Sequence, residues 1–202
     1  MTDRGHRLLN RRELGGLALA GLFGMAVPAS ASADAENYVT GIAENVMALA
    51  NGGQKGPALR AKFAALMNRY INLKAIADYA LGPYRSKLPA SKRAEFYDLV
   101  SNYAAALFVY YVDDFRGSEL EIISTTKQGK FTVIQSAIKG KGKPEQVRWR
   151  LSSSGGGFRV SDVNIKGVWL TISMKDRFSK VLKSSKGDFE PLFAELREAE
   201  TW

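Results

Sequence analysis

The sequence predicts an α+β domain: an antiparallel sheet of about four strands, with helices packed on one face. Three observations carry that class. Apolar residues recur at helical spacing to about residue 115, at strand spacing from 120 to 165, and at helical spacing again to the end. Strands and helices are segregated rather than alternating. The links between successive strand runs are short, which demands antiparallel pairing.

The chain opens on a segment that reads as an export signal. Arg4, Arg7, Arg11 and Arg12 make a basic start, Leu14 to Val27 is uncharged and rich in Leu, Ala and Gly, and Pro28 breaks it. Ala31-Ser32-Ala33 is a small-x-small cleavage site. The uncharged run is too short to span a bilayer core of about 30 Å. Its four glycines, Gly15, Gly16, Gly21 and Gly24, argue against a buried core helix. Arg11-Arg12 gives the signal a twin-arginine-like character, although Asn10 and Glu13-Leu14 match the usual flanks only in part. The expected organisation is a signal over residues 1–33, cleaved near Ala33, and a single domain over residues 34–202 in the periplasm.

Each element then has its own signal. Val39, Ile42, Val46 and Leu49 form a helical stripe over Glu36–Ala50. Residues 52–56 break it, and Pro57 suits the first turn of a second helix carrying Leu59, Phe63, Leu66 and Tyr70. Asn72 is a candidate N-cap for a third helix, which stops at Gly82-Pro83. A long helix over about Ala90–Phe115 carries Phe96, Leu99, Val100, Tyr103, Leu107, Tyr110 and Tyr111. From Tyr103 to Val112 it holds no charge, so it demands burial on two sides, or by a partner or ligand.

Strand-like runs follow at Leu120 and Ile122 and at Phe131 and Val133. In Glu145–Ser152, Val147, Trp149 and Leu151 face one way and Arg148 and Arg150 the other. Ser152–Gly157 reads as a loose hairpin connection, and Phe158–Ile165 as a strand whose phase slips near Asp162, the mark of a bulge. Thr171–Lys183 and Asp188–Glu200 are amphipathic helices.

Composition removes much chemistry. The chain has no Cys and one His, so it offers no disulfide, thiolate nucleophile, Cys-ligated zinc or His-pair metal site, and no cofactor is implied. The single His6 lies in the signal; without it, Ser-His-Asp and Cys-His catalysis are excluded as well. Four arginines and two acids leave with the signal, so the formal charge falls from +9 to +7. In the periplasm that charge favours membranes and acidic partners, not nucleic acid.

Candidate acids are few. Asp113-Asp114 point about 100° apart on a helix and form no dyad, so a solvated helix end is the simpler reading. Asp162 reads as a turn or bulge cap, or alternatively as a buried acid. Lys139, Lys141 and Lys143 alternate with Gly at a hairpin tip, a solvated loop or a contact for an anionic membrane.

Three blocks resemble the MlaC (toluene-tolerance) family of periplasmic phospholipid-carrier proteins. Tyr70–Tyr84, with Ile76-Ala77 and Leu81-Gly82-Pro83-Tyr84-Arg85, is similar to the family's Asp-x-x-x-Ile-Ala…Leu-Gly-x-x-Trp-Arg block. Phe96, then Phe108 and Phe115-x-Gly117, resemble its Phe…Tyr…Tyr-x-Gly helix end. Phe158–Val168, followed by Lys175-x-x-Phe178 and Gly187, resembles Trp-Lys-Val-x-Asp-Val-x-Val-x-Gly-Val…Arg-x-x-Phe…Gly. The departures are Asn72 for a common Asp, Phe108 and Phe115 for Tyr, Trp169 for a small Ser, and the twin-arginine-like signal.

The resemblance implies a monomeric lipid-binding domain that carries phospholipid rather than an enzyme. It implies acyl chains held between sheet and helices, and exchange with an inner-membrane ABC transporter complex and an outer-membrane lipoprotein–porin complex through transient membrane contact. The expected cavity lining is Phe108, Tyr111, Phe115, Val147, Trp149, Leu151, Val163, Ile165 and Val168. The alternatives are a carrier for another apolar ligand (a hopanoid, sterol-like lipid or aromatic solvent), a structural envelope protein, or a small-molecule enzyme on a cone-shaped α+β fold. Such an enzyme would need Asp162 or a Tyr as its acid or base.

Overall fold

The computed structural model describes residues 29–140 and 142–201. The basic start, twin arginines and apolar stretch of the expected export signal lie outside the described residues, as does Lys141. The order is α1 (Ala29–Asn51), α2 (Gly56–Tyr70), α3 (Leu73–Leu81), α4 (Arg93–Tyr111), β1 (Glu119–Gln128), β2 (Phe131–Lys139), β3 (Glu145–Ser154), β4 (Gly157–Ile165), β5 (Val168–Trp169), α5 (Leu170–Ser184) and α6 (Glu190–Glu198). The class is α+β.

The helix signals act as expected. Pro57 sits in the first turn of α2, where its missing N–H costs nothing. Asn72 caps α3, its side-chain oxygen accepting from the Ala75 N–H at 3.2 Å. The long fourth helix is regular only over its middle; both of its ends tighten into 3₁₀ turns, at Ala90–Lys92 and Val112–Phe115.

α1 begins at Ala29, ahead of the expected Glu36, and so runs through Ala31-Ser32-Ala33. A cut after Ala33 keeps the buried Ala35, Val39 and Ile42. It removes Ser32, whose hydroxyl donates to Glu36 at 2.8 Å, and leaves the Thr125 hydroxyl on the same carboxylate at 2.5 Å. The bond from Thr125, then that from Ser32, holds the Glu36 carboxyl below its ordinary range. The lowered value fixes the sign: this tie between α1 and β1 contributes above the unfolded Glu pKa of about 4.3 and is lost as pH falls through the folded value. Glu36→Gln is therefore expected to melt slightly below the parent at neutral pH, by less than about 1 kcal/mol for so hydrated a group. The two melting curves should converge as the pH is lowered through the folded value of Glu36.

The sheet is an antiparallel meander of five strands in the order β1-β2-β3-β4-β5. The fifth strand is two residues long, too short to show alternation. Register shifts leave Ile123 as an extra residue in β1 and Ser161 in β4, the second beside Asp162 where the phase slips. The connection expected to be loose is tight. β3 and β4 pair out to Ser154 and Gly157, and Gly155-Gly156 alone make the turn. Their φ values of 55° and 82° belong to a two-residue hairpin turn that favours glycine at both positions.

Register sorts the side chains into two faces. The inner face carries Leu120, Ile122, Ile134, Ile138, Val147, Trp149, Leu151, Phe158, Val160, Val163 and Ile165, with charge only at its ends, on Lys127 and Glu145. The outer face carries Gln135, Arg148, Arg150, Arg159, Asp162 and Asn164.

α1 crosses the inner face, where Ala35, Val39 and Ile42 pack with Ile134, Leu151 and Val160. A second cluster, of helices, joins Leu81, Phe96, Leu99, Val100, Tyr103, Phe178, Leu182, Leu192, Phe193 and Leu196. A third sits at the far end of α1, where Ala50, Leu59, Phe108 and Val112 meet with Val46, Phe63 and Phe115. α4 takes part in both helical clusters, which is why it tolerates an apolar girdle: Phe96 to Ala106 face α3, α5 and α6, and Phe108 and Val112 face α1 and α2.

Candidate functional site

The structure brings six of the nine expected lining residues onto one surface. Val147, Trp149 and Leu151 on β3 stand opposite Ile165, Val163 and Val160 on β4, all on the inner face. Val147 and Leu151 are buried, and Trp149, Val163 and Ile165 are half-buried. Val168 pairs with Ile165 and extends this surface to the sheet edge, where it is 52% exposed.

Phe108 and Phe115 lie in the third cluster instead. Phe108 stacks on Phe63 with ring centres 3.7 Å apart and on Phe115 at 6.1 Å. Val46 of α1 packs against both this cluster and the sheet cluster, so the two apolar seams adjoin. Tyr111, at the last turn of α4, is 51% exposed and packs edge-on against Tyr110.

Trp149 brings a polar atom into this surface, and the sheet satisfies it. Its indole N–H donates to the Ser136 hydroxyl at 2.9 Å, and that hydroxyl, fully buried, donates to the Val147 carbonyl at 3.2 Å. With the N–H engaged, the rest of the ring is apolar surface. At the other margin, burial raises the Tyr38 hydroxyl above its ordinary range, and it serves as a neutral donor to the Tyr70 carbonyl at 3.1 Å.

Sequence reasoning left out the mate of the sheet face. Ala35, Val39, Ile42 and Val46 cover it, and the Val39–Ile42–Val46–Leu49 stripe was the available signal. Ser136 had no signal, because only register places it under Trp149.

Asp162 is both a cap and a buried acid. It is 2% exposed, and its Oδ1 accepts from the Val163 N–H at 2.9 Å and the Thr171 N–H at 3.1 Å. Its Oδ2 accepts from the Thr171 hydroxyl at 2.6 Å and lies 3.6 Å from the Arg150 guanidinium. This acid therefore starts α5 and works on the polar side of the sheet, away from Trp149 and Val163. Among the described residues no group of His, Cys, Asp or Glu could hold a metal ion, and no helix is long and apolar enough to cross a membrane.

Two surface clefts are polar-edged. One, of about 400 Å³, is lined by Asp78, Gly82, Arg85, Arg93 and Tyr97 among others. There Asp78 accepts from the Tyr97 hydroxyl at 2.7 Å and pairs with Arg85 at 3.0 Å. Asp78 thus ties α3 to α4, with Arg85 on the same carboxylate. The other, of about 810 Å³, lies between α5 and α6 beside Arg177, Lys180 and Glu195. None of the nine expected lining residues borders either cleft.

The meander and the adjoining seams define a class: an α+β domain that presents a broad apolar sheet face to its helices, with charge only at the ends of that face. The family described as MlaC protein matches residues 41–198, and the chain belongs to that family. Six chains of known structure match it significantly. One is the phospholipid-binding protein from Ralstonia solanacearum, determined in complex with a phospholipid. It superposes with a TM-score of 0.70 at 22% identity, over 83% of this chain and 97% of that one. A search of the curated proteins finds no match.

Proposed function

We propose that this protein is a periplasmic phospholipid carrier, exported by its first 33 residues, that shuttles lipid between an outer-membrane lipoprotein–porin complex and an inner-membrane ABC transporter complex. The observation that carries the reading is the inner sheet face, apolar from Leu120 to Ile165 and facing helices. Family membership and the phospholipid on the similar Ralstonia protein support it. Acyl chains lie along the half-buried Trp149, Val163 and Ile165, beside the buried Val147 and Leu151, reach toward Phe108 and Phe115 past Val46, and leave the headgroup toward Val168 and Tyr111.

The energetics explain why such a surface is needed. Each buried CH₂ is worth about 0.8 kcal/mol, so two chains of about 16 carbons represent on the order of 25 kcal/mol of gross transfer energy. A carrier that buries both chains makes membrane and carrier nearly equal in free energy, so handover at a docked complex needs little work. Asp162, one of the two kinds of group an enzyme could use here, is occupied by Thr171 and Arg150, which also favours carriage over chemistry.

The test is uptake. Exported protein stripped of lipid is mixed with vesicles holding a fluorescent phospholipid, then separated from them. Fluorescence that travels with the protein at near one lipid per chain is expected; protein that emerges dark would refute the proposal.

A further inference from the structure

We infer that β5 and α5 form a preorganised edge that docks on anionic lipid surfaces. Val168, Leu170 and Ile172 are 52%, 44% and 47% exposed, while Trp169 and Thr171 between them turn inward. Val168 thus projects from β5 and Leu170 and Ile172 from the first turn of α5, with Trp169 and Thr171 anchoring the backbone between them.

The anchors are specific. Arg150 stacks on the Trp169 ring at 4.1 Å and on Phe131 at 5.4 Å, and lies 3.6 Å from Asp162. Asp162 holds Thr171 by both its N–H and its hydroxyl. The turn into β5, Lys166-Gly167, has φ of 52° and 85°, the tight hairpin geometry again. A rigid edge loses little entropy on docking.

Charge identifies the occupant. Residues 166–186 hold six bases (Lys166, Lys175, Arg177, Lys180, Lys183 and Lys186) against one acid, Asp176. That net +5 is most of the +7 left after signal removal. Glu145 pairs with Lys166 and Glu195 with Arg177, while Lys180, Lys183 and Lys186 stand exposed along and just beyond α5. Tyr79 of α3 is 50% exposed, its ring under the Lys175 ammonium at 5.2 Å. Apolar side chains at one end of a helix, cations along it and a Tyr beside it are what a membrane interface accommodates: shallow insertion plus attraction to anionic headgroups. The inference rests on the carrier reading for its purpose, since it sets lipid entry beside Val168.

Flotation tests it. The full chain, recovered after export, is floated with vesicles of phosphatidylcholine alone or with one-quarter phosphatidylglycerol. The parent is expected to float at least ten-fold better with the anionic vesicles. Leu170→Asp with Ile172→Asp should lose about ten-fold on both compositions. Lys180→Glu with Lys183→Glu, which alters only exposed side chains, should lose the anionic preference. A parent with no anionic preference, or a Leu170/Ile172 variant that floats like the parent, overturns the inference. So does a defect seen only in lipid transfer to a purified acceptor protein, which would assign the edge to a protein partner. Phospholipid co-purifying with each protein is measured separately: its absence from a parent that floats would refute the carrier reading and leave the edge standing.

Discussion

Asp162→Ala is expected to lower stability by about 2–4 kcal/mol, among the largest effects of any single polar substitution in the chain. The carboxylate is buried and accepts three hydrogen bonds, two from backbone N–H groups and one from the Thr171 hydroxyl. Removal orphans the Thr171 and Val163 N–H groups and the side of Arg150 that faces them. Arg150 is 31% exposed and can recover water, which keeps the cost below that of stranding a fully buried charge. For a domain of this size each kcal/mol corresponds to about 2–4 °C in melting temperature. Thermal denaturation should therefore show a fall near 10 °C for the alanine. Asp162→Asn, which keeps an acceptor for the two N–H groups, should lie about midway. An alanine variant that melts with the parent would mean that the start of α5 is held by its packing alone.

Val163→Glu is expected to empty the protein of phospholipid while leaving it folded. Val163 is half-buried on β4, opposite Trp149 on the inner face, so a carboxylate there can reach water when nothing lies against it. Against acyl chains it must desolvate, at several kcal/mol for an uncompensated charge. Co-purified phospholipid, measured after extraction, should fall at least ten-fold, with only a few degrees lost in melting temperature. Arg148→Glu on the outer face of β3 is the control, and its phospholipid content should match the parent's. Full lipid content in Val163→Glu would place the acyl chains elsewhere.

Local rules made most of the fold legible. The Leu59–Phe63–Leu66–Tyr70 stripe, the Asn72 cap and the Val147–Trp149–Leu151 alternation each follow from one period or one capping bond. The slip near Asp162 marked a true bulge for the same reason. What was hidden depends on register and on chain reversal. β5 is too short for a period and exists because Lys166-Gly167 turns the chain back on β4. Ser136 meets Trp149 only because β2 and β3 pair Ser136 with Val147. The early start of α1 was obscured because Ala31-Ser32-Ala33 satisfies a processing signal and a helix equally well.

The expected lining falls on one face where alternation ruled and scatters where it did not. Val147, Trp149, Leu151, Val163 and Ile165 share one face because a pleat puts every second residue there. Phe108 and Phe115 follow the helical period into a separate cluster with Phe63. Tyr111 belongs to the last turn of α4, where nothing packs over half of its surface.

Native mass spectrometry of the purified protein, sprayed without prior delipidation, tests the carrier reading most directly. The reading predicts a population heavier than the bare chain by the mass of one phospholipid, with the same lipid recovered in an organic extract. Bare chain alone, together with an extract free of phospholipid, would contradict it.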